Sequence, residues 1–190
     1  MSCPSLLAIS GSLRAESYST ALLRSLADAA AGKAAITVLT LGDVPMYNQD
    51  HDTDTPPEGV AKLRAAIAAA DGLIVASPEY NHGIPGVLKN ALDWASRPVG
   101  ASTLTGKTAL TMTSSPGALG GVRAHAPLNE SLSSIGVRVV LRPQAVVGSV
   151  HQKMTDGRLT HPDTLAFLLA GLDELLLDIA RPGAADREAD

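Results

Sequence analysis

The sequence predicts an α/β domain built on a parallel sheet. Short apolar runs alternate along the chain with stretches of helical periodicity, as in repeated βαβ units. The segment 71–76, DGLIVA, carries an apolar, β-branched run without polar alternation, which is typical of a strand buried on both faces. Apolar residues make up 45% of the 190 residues and charged residues 18%, a globular composition.

Five strands and five helices are predicted in alternation. The strands are expected at 6–10, 35–39, 73–77, 107–113 and 137–150. The helices are expected at 19–31, 57–70, 85–96, 119–135 and 163–179, with Gly32, Gly136 and Pro182-Gly183 as end signals. Pro143 should interrupt the last strand because proline cannot donate to a ladder. This order permits either a flavodoxin-like or a truncated Rossmann sheet, and periodicity does not choose between them.

Composition limits the classes of function. Residues 1–190 are expected to form one domain with a frayed tail at 184–190. The net charge of −4 offers no basic surface for nucleic acid or an anionic membrane. Cys3 is the single cysteine, which favours a reducing compartment, and the N-terminus lacks the basic region of a signal peptide. A cytoplasmic protein without a membrane span is expected.

The first loop, at 11–20, follows the first strand and opens a helix. Such a junction presents free backbone N–H groups and the positive end of a helix to an anion. Serine and threonine hydroxyls and the charge of Arg14 add donors, so a phosphate monoester would be well held. The alternative is that Ser17 or Ser19 only caps the helix. The loop is neither a P-loop nor a Gly-x-Gly-x-x-Gly dinucleotide motif.

The second loop, at 78–83, leads from the third strand into the next helix. Tyr80 could stack on a flat ligand, Asn81 could bond to its edge, and Gly83 would permit close backbone approach. An ordinary turn with Asn81 in a left-handed conformation is the alternative. The chain has only five aromatic residues, one Phe, one Trp and three Tyr, and two of the tyrosines fall in these loops.

The third loop, at 114–121, follows the fourth strand and contains Gly117, Gly120 and Gly121. Its backbone N–H groups suit a ring carbonyl or a developing negative charge, although glycine-rich turns are common. In a 2-1-3-4-5 sheet the ends of strands one, three and four adjoin, so the three loops would line one crevice.

Other chemistries are disfavoured by spacing. The five histidines and single cysteine show no metal-ligand pattern, and no nucleophile elbow is present, so no metal and no catalytic side chain are predicted. Lys89, Asn90 and Asp93 are expected on an exposed or subunit-facing side of the third helix, with salt bridges.

The three motifs together resemble the NAD(P)H-dependent FMN reductase family, which includes quinone, chromate and azo-dye reductases. The motifs are Gly11-Ser-Leu-Arg14 with Ser17, Ser77-Pro-Glu-Tyr-Asn81 running to Lys89-Asn-Ala-Leu-Asp93, and Gly117-Ala-Leu-Gly-Gly121 with Arg123. The resemblance covers about residues 5–180. It implies a flavodoxin-like three-layer sandwich with strand order 2-1-3-4-5, non-covalent FMN, NADPH or NADH as hydride donor, a small-molecule electron acceptor, and a homodimer or homotetramer.

The resemblance also implies a set of cofactor-binding residues. The phosphate and ribityl chain would be held by Ser12, Arg14, Ser17, Tyr18 and Ser19. The isoalloxazine would be bordered by Pro78, Glu79, Tyr80, Asn81 and His82, with Ser114 and Gly117 on the opposite rim. Family members often carry Asn at the position of Ser19. FMN supplies the hydride chemistry in such enzymes, so no general base is needed.

Three functions remain open at this stage. The first is an FMN-dependent reductase working by a ping-pong cycle on a quinone, azo compound, metal oxyanion or free flavin. The second is a flavodoxin-type electron carrier without its own nicotinamide site, which the few aromatic residues disfavour. The third is a flavin-free α/β binding or hydrolytic protein.

Overall fold

The computed structural model describes residues 3–181, without the side chains of residues 142 and 143. The predicted tail at 184–190 and the predicted stop at Pro182-Gly183 lie outside the described residues. The five strands of the main sheet are β1 (Ser5–Ser10), β2 (Ala35–Leu39), β3 (Gly72–Pro78), β4 (Thr108–Ser114) and β5 (Arg138–Val147). All neighbouring strands run parallel, in the order β2-β1-β3-β4-β5. The flavodoxin-like order is therefore confirmed over the Rossmann alternative.

Five helices connect the strands and form the two outer layers. They are α1 (Tyr18–Ala29), α2 (Glu58–Ala69), α3 (Gly86–Ala95), α4 (Val122–Ser134) and α5 (Pro162–Ala180). Buried leucines of α1 and α5 pack on one face of the sheet, and those of α2, α3 and α4 pack on the other. Because both faces are covered, β3 and β4 are buried along almost their whole length.

The predicted element boundaries agree with the structure to within three residues, and the start of α4 is one of the two largest differences. Helix α4 begins at Val122 and not at 119. Gly120 and Gly121 have φ angles of 62° and 80°, in the left-handed region that a right-handed helix cannot include. The third loop therefore extends to Gly121, in agreement with its predicted range of 114–121, and only the predicted helix start at 119 is wrong.

The register of β5 against β4 shifts at the expected place. Leu110 pairs with Val140 and Met112 pairs with Ala145, so four residues of β5 stand opposite one residue of β4. Position 143 lies within this irregular segment, in agreement with the predicted interruption.

Two features of the chain were missed. A small antiparallel hairpin, β6 (Met154–Thr155) and β7 (Arg158–Leu159), precedes α5. Residues 40–57 form a long connection after β2, with a short 3-10 helix at Gln49–His51, and this strap packs against α3. Both are too short or too irregular to show periodicity.

Asn90 is central to how the strap is held, and its predicted exposure is wrong. The residue is only 5% exposed. Its side chain accepts from the N–H of Tyr47 at 2.7 Å and donates to the carbonyl of Pro45 at 2.9 Å. The indole of Trp94 donates to the same carbonyl at 2.8 Å. The predicted salt bridge between Lys89 and Asp93 is confirmed at 2.6 Å on the exposed side of α3.

Within residues 3–181, no helix combines the length and apolar character needed to span a bilayer. Helix α5 has 19 residues but carries acidic side chains at Asp163, Asp173, Glu174 and Asp178.

Candidate functional site

The ends of β1, β3 and β4 place the three loops at one edge of the sheet. Ser10 pairs with Ala76, and Pro78 pairs with Ser114, so the last residues of the three strands are neighbours. The loops that follow must therefore leave the sheet side by side, at the position where open α/β sheets bind ligands.

A crevice between these loops contains residues from all three. Its lining residues are Ser12, Arg14, Ser17, Tyr18, Ser19, Pro78, Glu79, Tyr80, Ser114, Ser115 and Pro116. Nine of the twelve residues singled out in the sequence are among them. The other three, Asn81, His82 and Gly117, lie in the same loops but do not line this crevice. Ser115 and Pro116 were not anticipated, although they continue directly from Ser114.

Buried hydroxyl groups dominate the inner part of the crevice. Ser12, Ser17, Ser19 and Ser114 are each 5% exposed or less. The oxygen of Ser12 accepts from the N–H of Arg14 at 3.3 Å, and the Oγ atoms of Ser19 and Ser114 lie 3.3 Å apart. Because an accepting hydroxyl keeps its own proton, Ser12 retains a donor for a ligand.

The N-terminus of α1 supplies further donors. Ser17 is its N-cap and accepts from the N–H of Thr20 at 3.3 Å, as the alternative prediction for this serine proposed. The N–H groups of Tyr18 and Ser19 lie in the first turn of α1. They have no partner within the helix, because no helical carbonyl lies four residues before them. Ser17 can therefore cap the helix and bind a ligand at the same time, since its oxygen accepts the capping hydrogen bond and its hydroxyl proton remains available to a ligand.

The second loop ends in a tight two-residue turn. Tyr80 and Gly83 exchange two backbone hydrogen bonds of 3.0 Å. Asn81 and His82 between them have φ angles of 51° and 66°, as a type I′ turn requires. The left-handed Asn81 of the alternative interpretation is confirmed, and the turn carries Tyr80, 51% exposed, at the mouth of the crevice.

The third loop is fastened to the end of β5. The N–H of Ser115 donates to the carbonyl of Val147 at 3.2 Å, and the N–H of Val150 donates to the carbonyl of Ser115 at 3.1 Å. Gly121 lies so close to the second loop that an added Cβ would stand 3.4 Å from the Cβ of Glu79. The second and third loops are thus in direct contact and form one rim.

A hollow of about 390 Å³ adjoins the crevice where the first loop faces the start of α3. Leu13, Tyr80 and Val87 give it an apolar wall, and Leu13 is 57% exposed. It opens to solvent beside Tyr80, which lines both spaces. A flat apolar molecule could enter there and meet a ligand held in the crevice.

The buried histidine His125 does not line the crevice. It lies within α4, on the side that faces β4, and is 4% exposed. The hydroxyl of Thr111 donates to Oδ1 of Asn129 at 2.6 Å, Nδ2 of Asn129 donates to Nδ1 of His125 at 3.3 Å, and Nε2 of His125 donates to Thr111 at 3.3 Å. Each residue donates once and accepts once, so the ring of bonds closes with a neutral imidazole. Burial lowers the pKa of His125 from its ordinary value.

The protein-family model for the NADPH-dependent FMN reductases matches residues 4–152. The chain belongs to this family. As a member, it is an oxidoreductase that uses FMN as cofactor and NAD(P)H as electron donor.

Curated relatives and a solved structure agree with this FMN reductase assignment. A quinone reductase of Pseudomonas putida is 35% identical over 164 residues, 86% of this chain and 88% of the relative. A 2-hydroxy-1,4-benzoquinone reductase of Burkholderia sp. is 35% identical over 86% of this chain and 90% of its own. The solved structure of FerB, a flavoenzyme NAD(P)H:(acceptor) oxidoreductase from Paracoccus denitrificans, has a TM-score of 0.82 at 32% identity, covering 92% of this chain and 98% of that chain.

The donor set of this FMN reductase fits the cofactor of its family. A phosphate monoester needs several donors and a nearby positive charge, which the first loop provides through Ser12, Ser17 and Arg14. Those serines are nearly fully buried, so their protons have little access to water. A polar ligand in the crevice would satisfy them. A flat ring would find the Tyr80 turn on one side and Ser114 on the other.

Proposed function

We propose that this protein is a quinone reductase that keeps FMN bound and works by a ping-pong cycle. Two of the relatives described above are named for quinones, and this chain spans nearly the whole length of both. Azo compounds, metal oxyanions and free flavin are proposed as further acceptors, since an open flavin face discriminates little among them. The protein is also proposed to act in the cytoplasm.

The first loop is proposed to bind the FMN phosphate and ribityl chain. Arg14 supplies the positive charge, and Ser12, Ser17, Tyr18 and Ser19 supply hydroxyl or backbone donors. FMN, when bound, supplies the hydride chemistry of the reaction. The side chains of the protein then need only bind, orient and adjust the charge around the cofactor.

The second and third loops are proposed to hold the isoalloxazine. Pro78, Glu79 and Tyr80 border the crevice on one side, and Ser114 lies opposite. Asn81, His82 and Gly117 stand further out along the same loops and are proposed to contact the ring from its outer edge. The N–H of Ser149 donates to the carbonyl of Gly117 at 3.1 Å, and this bond fixes that edge of the third loop.

The apolar hollow beside Tyr80 is proposed to receive the nicotinamide and the quinone in turn. Both are flat, and both would enter past Leu13 and Tyr80, whose side chains are more than half exposed. A single mouth that both substrates share favours a ping-pong order, because the first product must leave before the second substrate enters.

A homodimer or homotetramer is proposed as the assembly. Leu119 in the third loop is 61% exposed and Val122 at the start of α4 is 41% exposed, and together with Leu13 and Tyr80 they give this edge an apolar surface. Light scattering on the purified protein measures the mass and tests this proposal.

The observation that carries the proposed function is the convergence of three distant segments on one crevice rich in buried hydroxyls. The decisive experiment is an absorbance spectrum of the purified protein, followed by steady-state kinetics with NADPH, NADH and 1,4-benzoquinone. A flavin spectrum that bleaches on anaerobic addition of a nicotinamide, with parallel double-reciprocal lines, is expected. Intersecting lines would exclude the ping-pong order. A flavin that no nicotinamide bleaches would indicate an electron carrier, and protein that stays colourless after dialysis against FMN would exclude a flavoenzyme.

A further inference from the structure

Two helices, α1 and α4, begin at the loops that form the crevice. They differ in how the free N–H groups of their first turns are capped. Helix α1 is capped by its own Ser17. Helix α4 follows Gly121, which has no side chain to cap it. Each helix N-terminus carries a positive partial charge of about half a unit and attracts negative charge within the first turn. An uncapped α4 would therefore attract a negative group to its first turn, which lies next to the second loop.

Glu79 occupies the N-terminus of α4. Its Oε2 accepts hydrogen bonds from the N–H of Arg123 at 2.9 Å and from the N–H of Ala124 at 3.3 Å. These are the second and third residues of the helix, so the carboxylate acts as the cap that Gly121 cannot provide. The glutamate reaches α4 from the second loop, 44 residues earlier in the chain.

The same carboxylate is the one acidic group among the residues that line the crevice, which otherwise presents hydroxyls, apolar groups and Arg14. Glu79 is partly buried, where a charge is screened less than at the surface. Its negative charge opposes the positive end of α4, and the first loop has no equivalent carboxylate in the crevice. The phosphate end of the crevice thus carries Arg14, whereas the rim formed by the second and third loops carries the Glu79 carboxylate close to the guanidinium of Arg123, which bonds to His82.

We propose that Glu79 is a positioning residue that neutralises the N-terminus of α4 and so keeps the reduction potential of bound FMN low. This rests on the proposed cofactor site. When NAD(P)H transfers a hydride and becomes NAD(P)⁺, the cofactor gains two electrons and one proton and carries one additional negative charge. A carboxylate at the rim disfavours that charge. A low potential favours onward transfer of the electrons to the acceptor over their retention on the enzyme.

The substitution Glu79→Gln separates charge from structure. Glutamine keeps an oxygen that accepts from the N–H groups of Arg123 and Ala124, and it removes the negative charge. A unit charge about 10 Å away at an effective dielectric constant of about 20 changes an equilibrium roughly tenfold. We expect E79Q to bind reduced FMN about tenfold more tightly relative to oxidised FMN, equivalent to a rise of about 30 mV in the two-electron midpoint potential.

The measurement is the midpoint potential of the FMN-loaded protein by equilibration with a reference dye, together with fluorescence titration of oxidised FMN. Glu130→Gln is the matched control, since it removes the same charge from an exposed position further along α4. Its potential should equal that of the wild type. Glu79→Ala should raise the potential and also lower thermal stability, because it removes the cap.

Two failures are distinguishable. A wild-type protein that does not bind FMN would overturn the proposed cofactor site itself. FMN-loaded E79Q with the wild-type potential, or with a potential shifted no more than that of E130Q, would overturn the role of Glu79 and leave the cofactor site intact.

Discussion

Nη1 of Arg123 lies 3.1 Å from Nε2 of His82. Arginine has donors only, so Nε2 of the imidazole accepts and the ring proton resides on Nδ1. His82 and Asn81 both adopt left-handed φ angles, which are costly for residues with a Cβ and persist only where their surroundings hold them. The guanidinium therefore holds the strained tip of the second loop against α4, beside the Glu79 cap.

Removal of this contact should loosen the turn. In Arg123→Ala, the amides of Tyr80 and Gly83, which bond to each other across the turn, are expected to exchange with solvent several-fold faster. Hydrogen exchange followed by mass spectrometry measures this. Arg158→Ala is the control, because it removes the same charge from the β6–β7 hairpin, where Arg158 forms an exposed salt bridge to Asp28 of α1. Equal protection of the second loop in R123A and wild type would contradict the assignment.

The phosphate role of Arg14 predicts a ligand-selective effect. Arg14→Ala should weaken FMN binding by about 10- to 100-fold, the range for loss of a charge-assisted hydrogen bond. Riboflavin, which lacks the phosphate, should bind R14A and wild type equally. Titration of flavin fluorescence measures both affinities. Arg24→Ala, which removes an exposed charge from the second turn of α1, should change neither. An equal loss for riboflavin would mean that Arg14 does not contact the phosphate.

The buried ring of Thr111, His125 and Asn129 predicts a pH dependence of stability. The pKa of His125 is lowered in the folded protein, whereas the unfolded chain takes up its proton near the ordinary value of 6.5. The unfolded state thus binds more protons below that pH, and stability falls as the pH decreases. Between pH 7.5 and 5.5 the free energy of unfolding should decrease more in wild type than in His125→Gln, by at most about 1.4 kcal/mol, the limit set by proton uptake of the unfolded chain. Urea unfolding of both proteins at both pH values measures these free energies. An identical decrease in the two proteins would disprove the prediction.

The strap at 40–57 predicts a large difference between two adjacent positions of α3. Asn90→Ala leaves the N–H of Tyr47 without its acceptor and removes a donor to Pro45, so it should cost about 1–3 kcal/mol of stability. Lys89→Ala breaks an exposed salt bridge and should cost less than about 0.5 kcal/mol. Chemical denaturation of both variants provides the comparison. Similar costs would argue against the strap as the reason for burying Asn90.

Much of the fold could be predicted because it depends on local periodicity. The apolar run ending at Ala76 and the helical pattern of Leu88, Leu92 and Ala95 each reflect burial by a single element, which spacing reveals. The candidate site was predictable in part for a related reason. Polar loops after parallel strands must emerge at one edge, so Ser12, Tyr80 and Ser114 could be assigned to a shared crevice once the strand order was known.

The sequence by itself determined the alternation of strands and helices, the serine-rich first loop and the family, since each of these is recorded in short stretches of neighbouring residues. The tertiary structure alone decided what distant side chains contact. Asn90 bonds to Pro45 and Tyr47 of the strap, 45 and 43 residues earlier in the chain, and Glu79 caps a helix that begins 43 residues later. Periodicity records which face of an element is apolar and carries no information on the partner of a polar group, because that partner depends on how separate elements pack.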